Sequence, residues 1–200
     1  KIVNPFVFAI LVAASAMFFR VILTISVLNR ELLPLIALPM GIMGSIGLLI
    51  AAYFWFKKEG TGMSTINAKD LNLKSPFQLG SAVKFGLVFA GLIFISKYAA
   101  HYFGDEGVYF TAFFSGIFDV DAITVSMTNL HLDGELSAMA ASTGIVIATL
   151  TNTISKGCIV LFLGSRAVGV RVLFALIFIA GVGLSSLLLF VPEYYGLITF

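Results

Sequence analysis

Residues Val108 to Asn129 read VYFTAFFSGIFDVDAITVSMTN, a segment that is long and apolar enough to cross a lipid bilayer. Two ionisable residues, Asp119 and Asp121, nevertheless lie near its middle. A charged side chain at the centre of a bilayer costs about 2.5–3.5 kcal/mol even on the lenient insertion scale. Two such residues require partners or a function, so the segment indicates a membrane protein that handles ions rather than a passive anchor.

The composition indicates an integral membrane protein. The chain of 200 residues is 60% hydrophobic and 11% charged, with a mean hydropathy of +1.06, whereas soluble domains carry roughly 25% charged residues. The net charge of +2 gives no basis for a nucleic-acid partner. The single cysteine, Cys158, cannot form an intramolecular disulfide. No nucleophile–base arrangement or metalloprotease motif occurs, so we expect no enzyme and no cofactor; a bound cation would be a substrate.

The predicted fold is an all-α polytopic helix bundle with about six transmembrane helices. The candidate spans are Pro5–Leu28, Leu32–Phe56, Ser81–Phe103, Val108–Asn129, Ser137–Leu163 and Val170–Val191. Residues 1–56 would form a two-helix membrane unit, residues 57–80 a solvated loop, and residues 81–200 a four-helix membrane unit that carries the polar site.

Six crossings would place both chain ends on the same side of the membrane. That side would hold Lys1, Lys57, Lys58, Lys69 and Lys74, and the other side would hold Arg30, Arg166 and Arg171. The positive-inside bias then predicts cytoplasmic ends for a multi-pass protein of the cell inner membrane. The chain begins without an initiator Met, and its first span contains Arg20. We therefore expect a further segment of the same protein before Lys1.

A shift of 136 residues lays the first two spans over the last two without a gap. The shift matches Arg20 with Lys156, Arg30 with Arg166, Ser15 with Thr151, and Gly47-Leu48 with Gly183-Leu184. Four spans would separate the two copies, so the hypothesis is a parallel internal repeat, a recurring transporter architecture. The alternative is chance similarity between apolar helices.

The two aspartates cannot line one site on a regular helix, because positions two apart point about 200° away from each other. An interruption near Gly116 would remove this conflict and expose carboxylates and backbone carbonyls to a cation or a proton. Under this interpretation Asp119 and Asp121 are candidate ion or metal ligands. The structural alternative is that Asp121 caps a half-helix while Asp119 pairs with a buried base.

Buried carboxylates call for cations, and Lys156 and Arg20 lie deep in the fifth and first spans. The sharper hypothesis is a salt bridge from Lys156 to Asp119 or Asp121; the alternative is that both basic side chains extend to the membrane surface. Asn152 lies one turn before Lys156 and would orient the site. Ser115 and Thr124 are weaker candidates, because hydroxyls in membrane helices often bond to their own backbone.

Two other features suggest partners. Gly41, Gly44 and Gly47 recur at every third residue and would allow close helix approach, which makes a homodimer within the lipid bilayer one expectation. His101 and His131 lie beside acidic residues and could bind a metal at a channel mouth; an ordinary solvated loop is the alternative.

Several motifs resemble the C-terminal membrane domain of unknown function that is found behind MgtC/SapB-type segments. In order they are Ala14-Ser15-Ala16-Met17-Phe18-x-Arg20, Ser75-Pro76-Phe77-x-Leu79-x-x-Ala82-x-Lys84-Phe85, Tyr102-Phe103-Gly104-x-x-Gly107, Ser115-Gly116-x-x-Asp119-Val120-Asp121-Ala122-Ile123-Thr124-x-Ser126 and Asn152-Thr153-x-x-Lys156. The resemblance implies a polytopic prokaryotic inner-membrane protein, and it connects the domain with magnesium and acid stress only by neighbourhood. It also selects Asp119, Asp121, Asn152 and Lys156.

The sequence thus favours a transporter or channel-like protein that moves a small ion. The ion would be a cation, Mg²⁺ included, or a proton, bound by Asp119 and Asp121 with Asn152, while Lys156 and Arg20 balance the charge. An anion pathway would invert these roles. The second hypothesis is a non-transporting regulatory or assembly subunit whose buried charges fix helix pairing, and an intramembrane enzyme acting on lipid is a third.

Overall fold

The computed structural model describes residues 3–57 and 106–198, with side chains up to Ser186, together with Leu87, Gly91, Phe94 and Tyr98. Within these residues every regular element is an α-helix, which confirms the predicted all-α bundle. The helices are α1 (Val3–Leu28), α2 (Leu33–Phe56), α3 (106–118), α4 (Val120–Leu132), α5 (Ala138–Leu163) and α6 (Arg166–Ile198). Most of the predicted loop 57–80 and of the predicted span Ser81–Phe103, with His101, lie outside the described residues.

Four of the described helices are long and apolar enough to cross a membrane. They are α1, α2, α5 and the Arg166–Ser186 part of α6. Short turns connect α1 to α2 and α5 to α6, so each pair forms an antiparallel hairpin. Side-chain hydrogen bonds stabilise two helix termini. In the α1–α2 turn the Asn29 side chain accepts a hydrogen bond from Glu31 N at 2.8 Å. At the start of α5 the Ser137 hydroxyl accepts one from Ala140 N at 3.1 Å and caps the helix.

Polar contacts identify which helix termini lie together at each end of the bundle. The Asn4 side chain donates to Lys57 O at 2.8 Å and accepts from Arg171 at 2.7 Å. The start of α1, the end of α2 and the start of α6 therefore meet at what we call the Asn4 end. His131 Nε2 lies 3.4 Å from the Glu31 carboxylate, which joins the end of α4 to the α1–α2 turn at the Glu31 end.

Helices α3 and α4 do not form one membrane crossing. A methyl group placed on Gly144, near the start of α5, would lie 3.6 Å from Val108 of α3 and 3.3 Å from Met127 of α4. Further along α5, the backbone of Ala148 contacts Gly116. Because α5 starts close to the Glu31 end, α3 runs inward beside it and α4 runs back out.

The predicted fourth span, Val108–Asn129, is therefore wrong as a single crossing: its two parts lie in α3 and α4, which run in opposite directions at the interruption. Apolar length indicates that a segment can lie in a membrane, but it does not report a reversal of direction in the middle of that segment. This reversal changes the predicted arrangement of everything that follows it in the chain.

The basic residues and chain directions differ from those predicted for six crossings. Arg171 lies at the Asn4 end rather than with Arg30, and Arg166 begins the same helix. Helix α6 then runs towards the Glu31 end, since Gly183 contacts Met43 in the first half of α2. The outer ends of α1 and α6 consequently point to opposite sides, and the expectation that they share one side is wrong.

One hydrophobic core joins the described helices, and the division into two membrane units stays a prediction. The largest fully buried side chains of the core include Phe18, Ile36, Met40, Ile145 and Leu176. The glycines of α2 also serve this packing: a methyl group on Gly44 would lie 2.8 Å from Phe19 of α1, and Gly47 contacts Ser15 of α1. Gly44 and Gly47 thus approach helices of the same chain, whereas no atom lies within 4 Å of a methyl group on Gly41. The homodimer stays a prediction.

Site-directed labelling separates this topology from six crossings. In a Cys158→Ala background, cysteines introduced at Arg30, Glu135 and Arg166 are treated with a membrane-impermeant maleimide on sealed vesicles. We expect positions 30 and 135 to react from one side and position 166 from the other, because the first two flank the Glu31 end. Six crossings would instead group position 30 with position 166.

Candidate functional site

The helix interruption that the sequence suggested is present at Asp119. This residue has an extended backbone (φ −155°, ψ 133°) between α3 and α4. Its carboxylate accepts hydrogen bonds from Asp121 N at 3.2 Å and Ala122 N at 3.3 Å, and its own N–H donates to Ser115 O at 2.9 Å. Asp119 is thus the N-cap of α4, a position that favours aspartate.

Asp121 lies in the first turn of α4 and forms the direct ion pair of the site. Its Oδ2 lies 2.6 Å from a guanidinium nitrogen of Arg20 in α1. The structural alternative considered from sequence had the roles of the two aspartates reversed, with Asp121 as the cap and Asp119 as the ion-pair partner. Helix α4 starts two residues earlier than that alternative required, which makes Asp119 the cap and turns Asp121 towards α1.

Asn152 of α5 closes the other side of the interruption. Its side-chain amide donates a hydrogen bond to Gly116 O at 2.8 Å, in the last turn of α3, where carbonyls have no partner within their own helix. Gly116 allows this approach because a side chain there would collide with the backbone of Ala148. Asn152 is only 3% exposed, so the bond joins α3 and α5 inside the bundle.

Lys156 lies near both aspartates without pairing directly with either. Its Nζ is 3.0 Å from the thioether sulfur of Met17, which precedes Arg20 by one turn on α1. Its charge nevertheless interacts with those of Asp119, Asp121 and Arg20. The predicted salt bridge from Lys156 to an aspartate is therefore wrong as a direct contact, because Arg20 occupies that position.

The cluster at the interruption, which we call the charge cluster, consists of Asp119, Asp121, Arg20 and Lys156. Its two carboxylates are matched by two basic groups, so its formal charges balance when all four are ionised. Such balance lowers the cost of ionised groups in a low-dielectric environment. The Arg20 side chain is 58% exposed and that of Asp121 36%, so the ion pair lies at the surface of the described helices. The structure thus assembles all four of the charged residues selected from the sequence, drawn from α1, α5 and the α3–α4 interruption.

The two hydroxyl candidates are buried beside the charge cluster. Ser115 is 2% exposed, and its backbone carbonyl accepts the hydrogen bond of Asp119 N. Thr124 is fully buried and donates to Val120 O at 2.7 Å, so its hydroxyl bonds to its own helix, as the alternative for such residues predicted.

Two buried side-chain oxygen atoms of the site have no hydrogen-bond partner among the described residues. They are Asp121 Oδ1 and Asn152 Oδ1, both buried on residues whose other polar atom is already engaged. Carboxylate and amide oxygens are ligands for hard cations and acceptors for protons. The described residues contain no group of three His, Cys, Asp or Glu side chains that could hold a metal ion. A metal role for Asp119 and Asp121 therefore stays a prediction.

The geometry defines a class: a polytopic helical membrane protein with an interrupted helix pair and a charge cluster at the interruption. The chain belongs to the family described as "Domain of unknown function (DUF4010)", which matches residues 1–164 and so includes all of these site residues. An uncharacterized protein of Aquifex aeolicus (strain VF5) is 32% identical over 178 residues, covering 86% of this chain and 74% of the relative. No solved structure matches. The association with MgtC/SapB-type segments stays a prediction.

One member of the site was not found from the sequence. The Met17 sulfur accepts a hydrogen bond from the Lys156 ammonium. A methionine in an apolar helix ordinarily indicates core packing. The available signal was its spacing, since Met17 and Arg20 are three residues apart and lie on the same face of α1.

Replacing Asn152 tests the closure of the α3 end. Asn152→Ala leaves the buried Gly116 carbonyl without a partner, so we expect a loss of about 1–2 kcal/mol in the free energy of unfolding, measured in mixed detergent micelles. Ser155→Ala, on the same helix, is the matched control and should change it by less than about 0.5 kcal/mol. Equal effects of the two substitutions would contradict the role of Asn152.

Replacing Gly116 tests the contact between α3 and α5. We expect Gly116→Ala to destabilise the protein by about 1–3 kcal/mol, because its methyl group would overlap the backbone of Ala148. Gly41→Ala is the control, since no atom lies within 4 Å of a methyl group there. That variant should gain about 0.5–1 kcal/mol from helix propensity. The same detergent unfolding assay compares them, and a stabilised Gly116→Ala protein would refute the contact.

Proposed function

We propose that this protein is a membrane transport protein for a small cation, protons included, and that the charge cluster is its ion site. The observation that carries this proposal is the interruption of a helix inside the bundle beside Asp121 and Asn152. Many transporters bind their substrates where discontinuous helices end near the bilayer midplane, because the free backbone groups and polar side chains there replace water.

The chemistry of the interruption favours a cation over an anion. The N-terminus of a helix is its positive end and is suited to anions, but in α4 the Asp119 carboxylate already occupies that position. At the end of α3 the Ser115 and Gly116 carbonyls already accept hydrogen bonds, whereas Asp121 and Asn152 each present a buried oxygen without a partner among the described residues. Arg20 and Lys156 are balanced by the two aspartates, which leaves no excess positive charge to attract an anion.

Two cations follow as the first to test. A proton is the first candidate, because protonation of Asp121 would remove the negative charge that holds Arg20. Magnesium is favoured by the hard oxygen ligands and by the resemblance to domains found behind MgtC/SapB-type segments. Both would use the same site, so one assay compares them.

The distribution of charge favours a cytoplasmic Asn4 end in a prokaryotic inner membrane. Lys57, Arg166 and Arg171 mark that end, whereas the turns at the Glu31 end contain Arg30 as their basic residue among the described ones. Basic residues accumulate on the cytoplasmic side. The observed helix directions increase the difference in basic residues between the two ends, because they place Arg166 and Arg171 at the end where Lys57 lies.

The second candidate function is a non-transporting assembly or regulatory subunit. The direct bond between Arg20 and Asp121 favours it, because that bond joins α1 to α4 and could serve only to fix their pairing. The two functions differ for the double variant Arg20→Gln/Asp121→Asn, which removes both charges together. A structural role predicts a folded and functional protein, and transport predicts a folded protein without flux.

Flux in proteoliposomes tests the proposal. Vesicles with entrapped Mg²⁺-sensitive, Na⁺-sensitive, K⁺-sensitive or pH-sensitive dyes would be compared for the native protein, Asp121→Asn, and Glu106→Gln as an exposed acidic control. We expect Asp121→Asn to lower flux of the transported ion at least about tenfold, which corresponds to about 1.4 kcal/mol, while Glu106→Gln retains it. Asp119→Asn is informative as well, since asparagine also caps helices and should preserve the fold.

A different combination of results would contradict the proposal. A native protein that carries none of these ions, combined with an Asp121→Asn variant that loses thermal stability in detergent, would refute transport. It would support the assembly subunit.

A further inference from the structure

The hairpins α1–α2 and α5–α6 run in opposite directions, and their first helices have the same length. Helices α1 and α5 both contain 26 residues, and each is followed by a short turn and a second long helix. Helix α1 runs from the Asn4 end to the Glu31 end, whereas α5 runs the other way. If these hairpins are copies, the repeat is inverted, and the parallel repeat expected from six crossings is wrong because the α3–α4 pair turns back.

Contacts between α2 and α6 place the two hairpins in the antiparallel register that this relation requires. Gly47 of α2 contacts Ile179 of α6, with 3.4 Å from a methyl group on the glycine to Ile179 Cδ1. Gly183 of α6 contacts Met43 of α2. The shift of 136 residues that relates Gly47 to Gly183 also relates Met43 to Ile179. Each contact is therefore the image of the other, as a two-fold axis between α2 and α6 requires.

The first helices of the hairpins share a local bond at equivalent positions. Ser15 donates to Leu11 O at 2.7 Å, and Thr151, at the shifted position, donates to Ile147 O at 2.9 Å. Five residues beyond these hydroxyls lie Arg20 and Lys156, the two basic members of the charge cluster. Both therefore occupy the same place in their respective hairpins and approach the interruption from α1 and α5.

We infer that the two hairpins form an inverted repeat in which Arg20 and Lys156 are equivalent residues that compete for Asp121. This inference rests on the proposed transport function, for which it supplies a means of alternating between two states. In the described state Arg20 holds Asp121, and among the described residues Lys156 donates to the Met17 thioether, a weak acceptor. In the second state Lys156 holds Asp121 and Arg20 is released.

Exchange of conformations between inverted repeats is an established way to open a central site to the two sides of a membrane in turn. Here both states keep one ion pair at the interruption, so neither leaves Asp121 without a basic partner. A substrate cation would bind by displacing whichever basic group holds the carboxylate. The alternation therefore links occupancy of Asp121 to the direction in which the site opens.

Distance measurements on the whole protein in lipid nanodiscs test the alternation without relying on flux. Spin labels would be placed at cysteines replacing Val27 and Leu132, two exposed residues near the Glu31 end, in a Cys158→Ala background. We expect Lys156→Gln to give a single distance population, since only Arg20 then remains to hold Asp121. We expect Arg20→Gln to give a different population, which corresponds to the second state.

Matched variants protect this test against misfolding and against general charge effects. Arg30→Gln and Arg166→Gln remove the basic groups of another pair related by the shift of 136 residues, outside the charge cluster, and should reproduce the native distribution. The exchange variant Arg20→Lys/Lys156→Arg keeps the net charge of the charge cluster, so a change in its distances does not arise from a lost charge. Because arginine binds carboxylates in a bidentate manner, the exchange should shift the population towards the second state.

The results that would overturn the inference are distinct from those that would overturn transport. Identical distance distributions for Arg20→Gln, Lys156→Gln and the exchange variant would exclude competition for Asp121, even if the native protein carries an ion. Absence of flux together with opposite shifts in the two single variants would leave the competition standing and refute transport alone.

Discussion

Interrupting a helix inside a bilayer leaves backbone groups without partners, and the rest of this structure depends on how the chain satisfies them. Asp119 accepts from the first free N–H groups of α4, and Asn152 donates to a free carbonyl of α3. The carboxylate used as the cap brings a second one, Asp121, into the same space, and that second charge requires Arg20. One backbone interruption thus accounts for the contacts that join α1, α4 and α5.

The same constraint explains which aspects of the fold follow from sequence. Apolar length alone gives α1, α2, α5 and α6, because a bilayer admits continuous helices of that size. The charged members of the site also follow, since few ionisable residues occur in apolar spans and those that do need one another. Asp119, Asp121, Arg20 and Lys156 were selected on that basis, and Asn152 because it lies one turn before Lys156. The structure brings all five to one interruption.

The features that the sequence did not predict depend on the direction in which the helices run, not on their composition. The reversal of direction between α3 and α4 is invisible to hydropathy, because two short helices that fold back contain the same apolar residues as one crossing. The assignment of the cap depended on where α4 starts, a difference of two residues. The partner of Lys156 depended on the relative depth of α1 and α5, which no local sequence pattern records. For this reason the contact with Met17 was not predicted, and the ion pair with an aspartate was assigned to Lys156 instead of Arg20.

The bond from Asn152 to Gly116 also constrains the order in which the protein can be made. The interrupted pair emerges from the ribosome before α5, yet the free carbonyl of α3 is satisfied by a residue 36 positions later in the chain. Until α5 has entered the membrane, the end of α3 would expose an unpaired carbonyl to lipid, which is strongly unfavourable. The end of α3 therefore acquires this hydrogen bond only once α5 is in place, and the interrupted pair depends on a helix that is made after it.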